Sequence, residues 1–173
     1  MIHDKVMDTI ECLKTRRSVR RFKDEKIKSE DLRTILECGL LAPSGSNEQP
    51  WEFFIVQDKE KLERLSKVCT HGKFIKNGSC CIIVTGDDSK STHVVEDCSA
   101  ATENVLLAAH DLGYGGCWIA GWNRGYETDV MNIIGIKDKN KDLKMVSLIA
   151  LGVPDVDLTT MKKRSFEDAV HFV

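Results

Sequence analysis

The chain has 173 residues, of which 42% are hydrophobic and 30% charged, as in an ordinary soluble globular protein. Its net charge of −2, without a long basic stripe, argues against nucleic acid as a partner. No apolar run approaches the ~20 residues of a membrane span, and the acidic N-terminal segment lacks an apolar signal core, so we expect a cytoplasmic protein without a membrane partner.

Hydrophobic periodicity predicts five helices and four strands. The helices are a short one ending near Thr15, one that Ser29 caps and Pro43 ends, one that Asp58 caps, a long buried helix over 99–112, and one over 128–134. The strands are predicted over 51–56, 80–85, 117–122 and 145–153. Because helices and strands alternate irregularly, this pattern favours an α/β or α+β class with a mixed sheet in a single domain, 1–173.

The seven cysteines follow no spacing pattern, and none forms a C-x-x-C pair. An odd, unpatterned set is typical of reduced thiols, most of which act as small buried hydrophobic residues. The five histidines lack metal-ligand spacing, so no metal is expected.

A dense basic cluster follows the first helix. Residues 16–21 hold four arginines and one serine, and guanidinium groups match phosphate oxygens in bidentate fashion. The alternative is a solvated basic run, but Val19 and Phe22 would attach the segment to a core. In an extended chain, Arg16, Ser18 and Arg20 face one side, and Arg17 and Arg21 face the other.

Three further segments are candidates for a site. In the turn-rich stretch 43–51, Gly45 would let the backbone approach a ligand, and Asn47 suits the pyrimidine edge of a flavin or base; the alternative is a plain helix-to-strand connection. Residues 113–122 lack a G-x-G-x-x-G order, although Gly121 would permit a ring to stack on the backbone. The run Lys162-Lys163-Arg164, taken alone, indicates a solvated charged stretch.

Taken in order, RRSVRRF, APSGSNEQPWEFFIV, an alanine-rich helix leading into LGYGGCWIAGW, and a late KKRSFEDAV resemble the nitroreductase family of FMN flavoproteins. The resemblance covers nearly the whole chain. It implies an α+β fold in which a mixed sheet is flanked by helices, and an intertwined homodimer with two FMN molecules at the interface.

The resemblance also implies a set of cofactor-binding residues. Arg16, Arg17, Ser18 and Arg20 match the family segment that holds the phosphate and part of the ring edge. Pro43, Ser44 and Asn47 match the loop that the second subunit contributes, and Ile119, Ala120 and Gly121 match the backbone near the ring. Lys162 or Lys163, with Arg164, matches the late basic pair near the phosphate.

The chain departs from many relatives in regions that often build the substrate wall. It is short between Val56 and Cys80 and after Trp122, and Ala120 stands where many relatives carry an acid. His71 and Lys73 are the candidates for a basic or amide residue that some relatives place before the second strand. The resemblance therefore predicts the cofactor better than the substrate.

The expected activity is that of an FMN-dependent oxidoreductase. NAD(P)H would reduce the flavin and leave, and a nitroaromatic, a quinone or a similar acceptor would then take the electrons, with no catalytic protein residue. The alternatives are a dehalogenating or flavin-degrading relative, with Tyr126 and Glu127 as a small lid, and a non-enzymatic flavin redox sensor. One basic cluster without a dinucleotide signature favours FMN over FAD.

The C-terminal segment 155–173 is predicted to dock on a partner subunit. It has too few apolar residues for its own core, yet it carries several that a solvated tail would not need. These residues are Met161, Phe166, Ala169, Val170, Phe172 and Val173. The alternative is a tail that folds back on its own subunit.

Overall fold

The computed structural model describes residues 7–136, 142–157 and 161–173. The helices are α1 Thr9–Thr15, α2 Ser29–Leu40, α3 Lys59–Val68, α4 Val94–Asp111 and α5 Glu127–Ile134. The strands are β1 Trp51–Val56, β2 Cys80–Asp87, β3 Gly115–Ala120 and β4 Leu143–Gly152, and short 3-10 helices span Gly45–Asn47 and Ile75–Asn77. This arrangement confirms the predicted α+β class.

The helix boundaries confirm one predicted cap and correct another. Asp58 caps α3, where its Oδ1 accepts the Lys61 backbone N–H at 2.9 Å. Ser29 is not a cap but the first helical residue, because the extended backbone that precedes a helix is at Lys28. Helix α4 begins five residues earlier than predicted, at Val94, whose side chain is buried in the same core as Cys98.

The four strands form one sheet in the order β1-β2-β4-β3, and each neighbouring pair is antiparallel. The predicted mixed sheet is therefore wrong for the described residues, in which the only parallel pairing is an isolated bridge between Ser18 and Gly116. The chain between β1 and β2 folds back, with α3 against the turn Ile75–Asn77, so β2 starts beside the end of β1. A single-helix crossover would instead give a parallel pair.

The sheet separates two hydrophobic cores. Along β2, Ile82 and Val84 lie in the core that contains α2 and α4, whereas Cys81 and Ile83 lie in the core that contains α3 and α5. Alternate side chains of a strand point to opposite faces, so a central strand buried on both faces is apolar throughout. Val19 and Phe22 lie in the second core, as expected for a basic segment attached to the protein interior.

All seven cysteines are free thiols, and six of them are buried, which confirms their interpretation as small hydrophobic residues. Burial raises the pKa of Cys69, Cys80 and Cys98 to about 12. Within the described ranges, no helix is both long enough and apolar enough to cross a bilayer. The same residues contain no group of three or more potential metal ligands from His, Cys, Asp and Glu.

Candidate functional site

Backbone pairing to β3 and to the chain just after β4 holds the arginine segment, residues 16–21. The Val19 N–H donates to the Gly116 carbonyl at 2.9 Å, and Phe22 forms a bridge with Pro154. The approach of the two chains requires a glycine at 115, since an added Cβ would lie 2.7 Å from the Val19 side chain. The segment is thus fixed along one edge of the sheet.

The basic side chains of this segment line a cavity of about 360 Å³ together with the start of the tail. We call it the basic cavity; its lining residues are Arg16, Arg17, Ser18, Arg20, Val156, Asp157, Met161, Lys162 and Lys163. Seven of these nine residues are polar or charged, and five are cationic. Guanidinium, ammonium and hydroxyl donors that converge in this way suit an oxyanion such as phosphate.

The predicted facing of the segment agrees with the structure except at one residue. Arg16, Ser18 and Arg20 line the basic cavity together, and the Arg21 guanidinium instead donates to the Asp155 carbonyl at 3.0 Å. Arg17 was expected on the side of Arg21, but it also lines the cavity. Its guanidinium bends back to the Lys14 and Arg16 carbonyls, at 2.8 and 2.6 Å, near the end of α1.

A second cavity, of about 570 Å³, lies along β3, and we call it the strand cavity. Its lining residues are Arg20, Thr70, His71, Lys73, Phe74, Cys117, Trp118, Ile119 and Ala120. Arg20 lines both cavities, and its guanidinium carbon lies 5.8 Å from the centre of the Phe74 ring. At Arg20 the basic cavity therefore adjoins a less polar space with room for a flat ring beside β3.

Two residues of β3 bear on the chemistry of the strand cavity. Burial raises the pKa of the Cys117 thiol, an effect that the nearby Arg20 charge opposes, so the thiol is neutral at neutral pH. Gly121 is buried beside β4, where an added Cβ would lie 2.9 Å from the Val146 carbonyl carbon. A side chain at position 121 would therefore clash with the sheet, whereas Ile119 and Ala120 are among the residues that line the strand cavity.

A third cavity, of about 470 Å³, shares Thr70, His71, Ile119 and Ala120 with the strand cavity and adds Arg124 and Tyr126. We call it the outer cavity. The lid suggested for Tyr126 and Glu127 is not present in this structure. The Tyr126 hydroxyl is buried and donates to the Ala120 carbonyl, and a Glu127 carboxylate oxygen accepts the Arg124 backbone N–H at 2.6 Å.

The loop at residues 43–49 lies apart from the arginine segment. It leads into β1, which forms the opposite edge of the sheet from β3, roughly 14 Å away across three strand spacings. Pro43, Ser44 and Asn47 therefore do not join Arg20 within one chain. The Ser44 hydroxyl oxygen accepts the Gln49 backbone N–H at 3.0 Å, which closes the loop on itself.

A buried carboxylate fixes this loop, and sequence reasoning missed it. Asp97 is 5% exposed; one of its oxygens accepts the Gly45 N–H at 3.0 Å and the other accepts the Ser91 hydroxyl at 2.8 Å. Three non-glycine residues of the loop, Ser46, Asn47 and Gln49, have positive φ angles of 50°, 58° and 49°. Such strain persists only where surrounding contacts impose it, which is common at functional sites.

The tail is exposed over all its described residues from 161 to 173. Met161, Phe166 and Phe172 are 65%, 60% and 89% exposed. Lys162 and Lys163 line the basic cavity, whereas Arg164, the other member of the expected basic pair, donates to the Asp168 carbonyl within the tail. Large apolar side chains thus remain uncovered beside a charged cavity.

The sequence profile of the nitroreductase family matches residues 13–77 and 67–153. The chain belongs to this family, as its motifs predict. The predicted enzyme class, the FMN-dependent NAD(P)H oxidoreductases of nitroreductase type, is thereby confirmed at the level of the family.

Relatives of known name agree with this assignment. A protein of Archaeoglobus fulgidus with the provisional name NADH dehydrogenase/NAD(P)H nitroreductase is 39% identical over 93% of this chain and 97% of its own length. The FMN-dependent nitroreductase of Clostridium difficile R20291 superposes with a TM-score of 0.88 at 34% identity, over 95% of this chain and 98% of that one. The NADPH:FMN oxidoreductase of Vibrio harveyi, solved with NAD+, gives a TM-score of 0.83 at 26% identity, over 95% of this chain and 76% of that one.

Proposed function

We propose that this chain binds FMN, takes a hydride from NAD(P)H and reduces a nitroaromatic, a quinone or a similar small acceptor by a ping-pong mechanism. The observation that carries the proposal is the junction of the basic cavity with the strand cavity at Arg20. A cofactor with one terminal phosphate and one flat ring has the same division into a charged and a less polar part.

The residues of the basic cavity fit the phosphate of FMN. Arg16, Ser18 and Arg20 would donate from the arginine segment, and Lys162 and Lys163 from the tail. The Arg16 Nε also lies 3.3 Å from a Glu103 carboxylate oxygen, so that ion pair orients the guanidinium. The basic cavity serves one phosphate end, which favours FMN over FAD.

Bound FMN would supply the hydride and electron transfer. The chain's own residues would bind and orient it: the Lys73 and Arg20 cations in the strand cavity favour negative charge on a ring placed there, and the neutral Cys117 thiol supplies no nucleophile. Both reactants must reach the same ring beside β3, so the first would have to leave before the second enters.

We further propose that the active form is a homodimer in which the loop at 43–49 of one subunit meets the arginine segment of the other. Two features support this proposal. Within one chain, these two parts lie on opposite edges of the sheet. The tail presents large apolar side chains, and covering them with a partner would stabilise the dimer by roughly 1.5–3 kcal/mol for each large residue fully buried.

Flavin content and turnover test the proposal together. Protein purified without added flavin should be yellow, or become so on titration with FMN, and mass analysis of the released ligand should give FMN. It should then oxidise NADH or NADPH when a quinone or a nitroaromatic is added. Stoichiometric FAD, or no flavin uptake at micromolar concentration, would refute the cofactor, whereas FMN bound without turnover would favour a redox sensor.

A further inference from the structure

The outer cavity lies directly beside the strand cavity. The two share Thr70, His71, Ile119 and Ala120, so a reactant placed over a ring in the strand cavity can extend one end into the outer cavity. Ala120 contributes only a methyl group at the junction. The end of the reactant that enters the outer cavity meets Arg124.

The groups that line the outer cavity are donors and cations. Arg124 offers a guanidinium, His71 an imidazole and Thr70 a hydroxyl, and no carboxylate lies among the lining residues. In the part of the chain that the structure describes, the Arg124 guanidinium makes no ion pair. The nearby Glu127 carboxylate is engaged with the Arg124 backbone N–H. The charge of Arg124 thus remains available to a ligand.

The short loop that carries Arg124 is anchored at both ends. At its start, the backbone N–H groups of Gly121 and Trp122 both donate to the Val146 carbonyl, at 2.9 and 3.1 Å. At its end, the buried Tyr126 hydroxyl donates to the Ala120 carbonyl. Asn123 and Gly125 take positive φ angles of 52° and 82°, which turn the loop sharply enough to bring Arg124 back over the cavity.

We propose that Arg124, His71 and Thr70 form an oxyanion subsite that binds a carboxylate or phosphate of the reactant lying over the flavin. This inference rests on the proposed function, and it narrows the substrate class to anionic molecules. A carboxylated acceptor and the 2′-phosphate of NADPH both carry this chemistry, because a guanidinium pairs with either group in bidentate fashion. The two half-reactions of a ping-pong enzyme tell these sources apart.

The kinetic test uses the FMN-loaded protein and the variant Arg124→Gln, with Arg64→Gln as the control because Arg64 is exposed on α3 and lines none of the three cavities described above. The acceptors are 4-nitrobenzoate and its neutral methyl ester. In Arg124→Gln we expect KM for 4-nitrobenzoate to rise about tenfold while KM for the ester is unchanged, since only the anion loses a charge-assisted hydrogen bond. In the unmodified protein, added salt should raise KM for 4-nitrobenzoate and leave KM for the methyl ester unchanged.

The donor half-reaction identifies the second source. A rise in KM for NADPH but not for NADH in Arg124→Gln would assign the subsite to the 2′-phosphate. Equal changes for charged and neutral reactants, or no change in any of them, would overturn the subsite. Absence of NAD(P)H oxidation with the methyl ester in the unmodified protein would instead count against the proposed function.

An equilibrium measurement keeps the inference independent of turnover. Benzoate should bind the protein as purified, and benzamide should bind more weakly, in calorimetric titrations. Arg124→Gln should remove this preference, and Arg64→Gln should retain it. A protein that binds the two compounds equally well would refute the subsite whatever its flavin content.

Discussion

The arginine segment and the loop at residues 43–49 are held by different means. Backbone hydrogen bonds to β3 and to the chain just after β4 fix the arginine segment, so that Arg16, Ser18 and Arg20 line the basic cavity. The loop instead has three non-glycine residues at positive φ, and side-chain oxygens of Asp97 and Ser44 hold its backbone. Substitutions in the first region should therefore change ligand affinity alone, whereas substitutions around the second should change both stability and affinity.

Removing the tail should have the largest effect, because the tail contributes to the basic cavity and carries the apolar residues that a partner would cover in the proposed dimer. Truncation after Pro154 removes Lys162 and Lys163 from the basic cavity and all the exposed apolar residues of the tail. We expect loss of the dimer by light scattering and at least a tenfold loss of FMN affinity by flavin titration, because a charge-assisted contact to phosphate is worth about 1.5–3 kcal/mol.

A full-length variant distinguishes loss of the dimer contact from unfolding of the truncated protein. Phe166→Ala combined with Phe172→Ala keeps the lysines and removes two exposed rings whose centroids lie 6.4 Å apart. It should weaken dimerisation while circular dichroism remains unchanged. If the truncated protein stays a dimer with unaltered FMN affinity, the tail does not cross to a partner.

The second prediction tests the facing of the arginine segment. Arg20→Ala should weaken FMN binding about ten- to a hundredfold, since it removes a charge-assisted hydrogen bond from the junction of two cavities. Arg21→Ala is the matched control, because the Arg21 guanidinium is bound to the Asp155 carbonyl at 3.0 Å. Flavin titration of both variants measures the FMN affinity. A larger loss of affinity in Arg21→Ala than in Arg20→Ala would show that Arg21, and not Arg20, faces the cofactor.

The third prediction concerns the buried carboxylate behind the loop. Asp97→Asn replaces one acceptor oxygen with an amide donor that faces the Gly45 N–H or the Ser91 hydroxyl, so we expect a loss of roughly 1–3 kcal/mol in the free energy of unfolding. Urea titration measures it. Asp88→Asn is the control, since that carboxylate lies at the surface, 3.2 Å from the Lys144 ammonium. Equal losses in the two variants would remove the distinction between the two regions.

Sequence reasoning found the arginine segment because its signal is local. Residues 16–21 hold four arginines and a serine, which indicate a phosphate site, and the Phe22 that follows them indicates attachment to a core. It also found the strands and the Asp58 cap from local pattern. The irregular alternation of helices and strands predicts a mixed sheet, and this is wrong because periodicity does not encode the direction of β2 relative to β1, which depends on how the intervening chain folds back.

The buried Asp97 carboxylate that fixes the loop and the outer cavity both depend on contacts between distant parts of the chain. Asp97 binds Gly45 across 52 residues, and it lies in the first turn of α4, which was predicted to begin later. Arg124 follows β3 and His71 follows α3, so the two residues line the same cavity only after the chain has folded. The usable signal for the earlier start of α4 is the spacing of Val94 and Cys98, which are one helical turn apart in the sequence.

The smallest effect should come from His110, which lies beneath the arginine segment and not beneath the loop. Its Nε2 lies 2.8 Å from the Thr15 hydroxyl oxygen, and burial, followed by the charges of Arg16 and Arg17, lowers its pKa from 6.5. Below pH 6.5 the unfolded chain binds a proton that the folded chain resists, so stability should fall as the pH drops from 6.5 toward the lowered pKa. Urea titrations at several pH values should show this fall in the unmodified protein and a flatter profile in His110→Gln. Bound FMN should also reduce the fall, because a phosphate beside the two arginines offsets their charge; an identical acid profile with and without FMN would place the phosphate elsewhere.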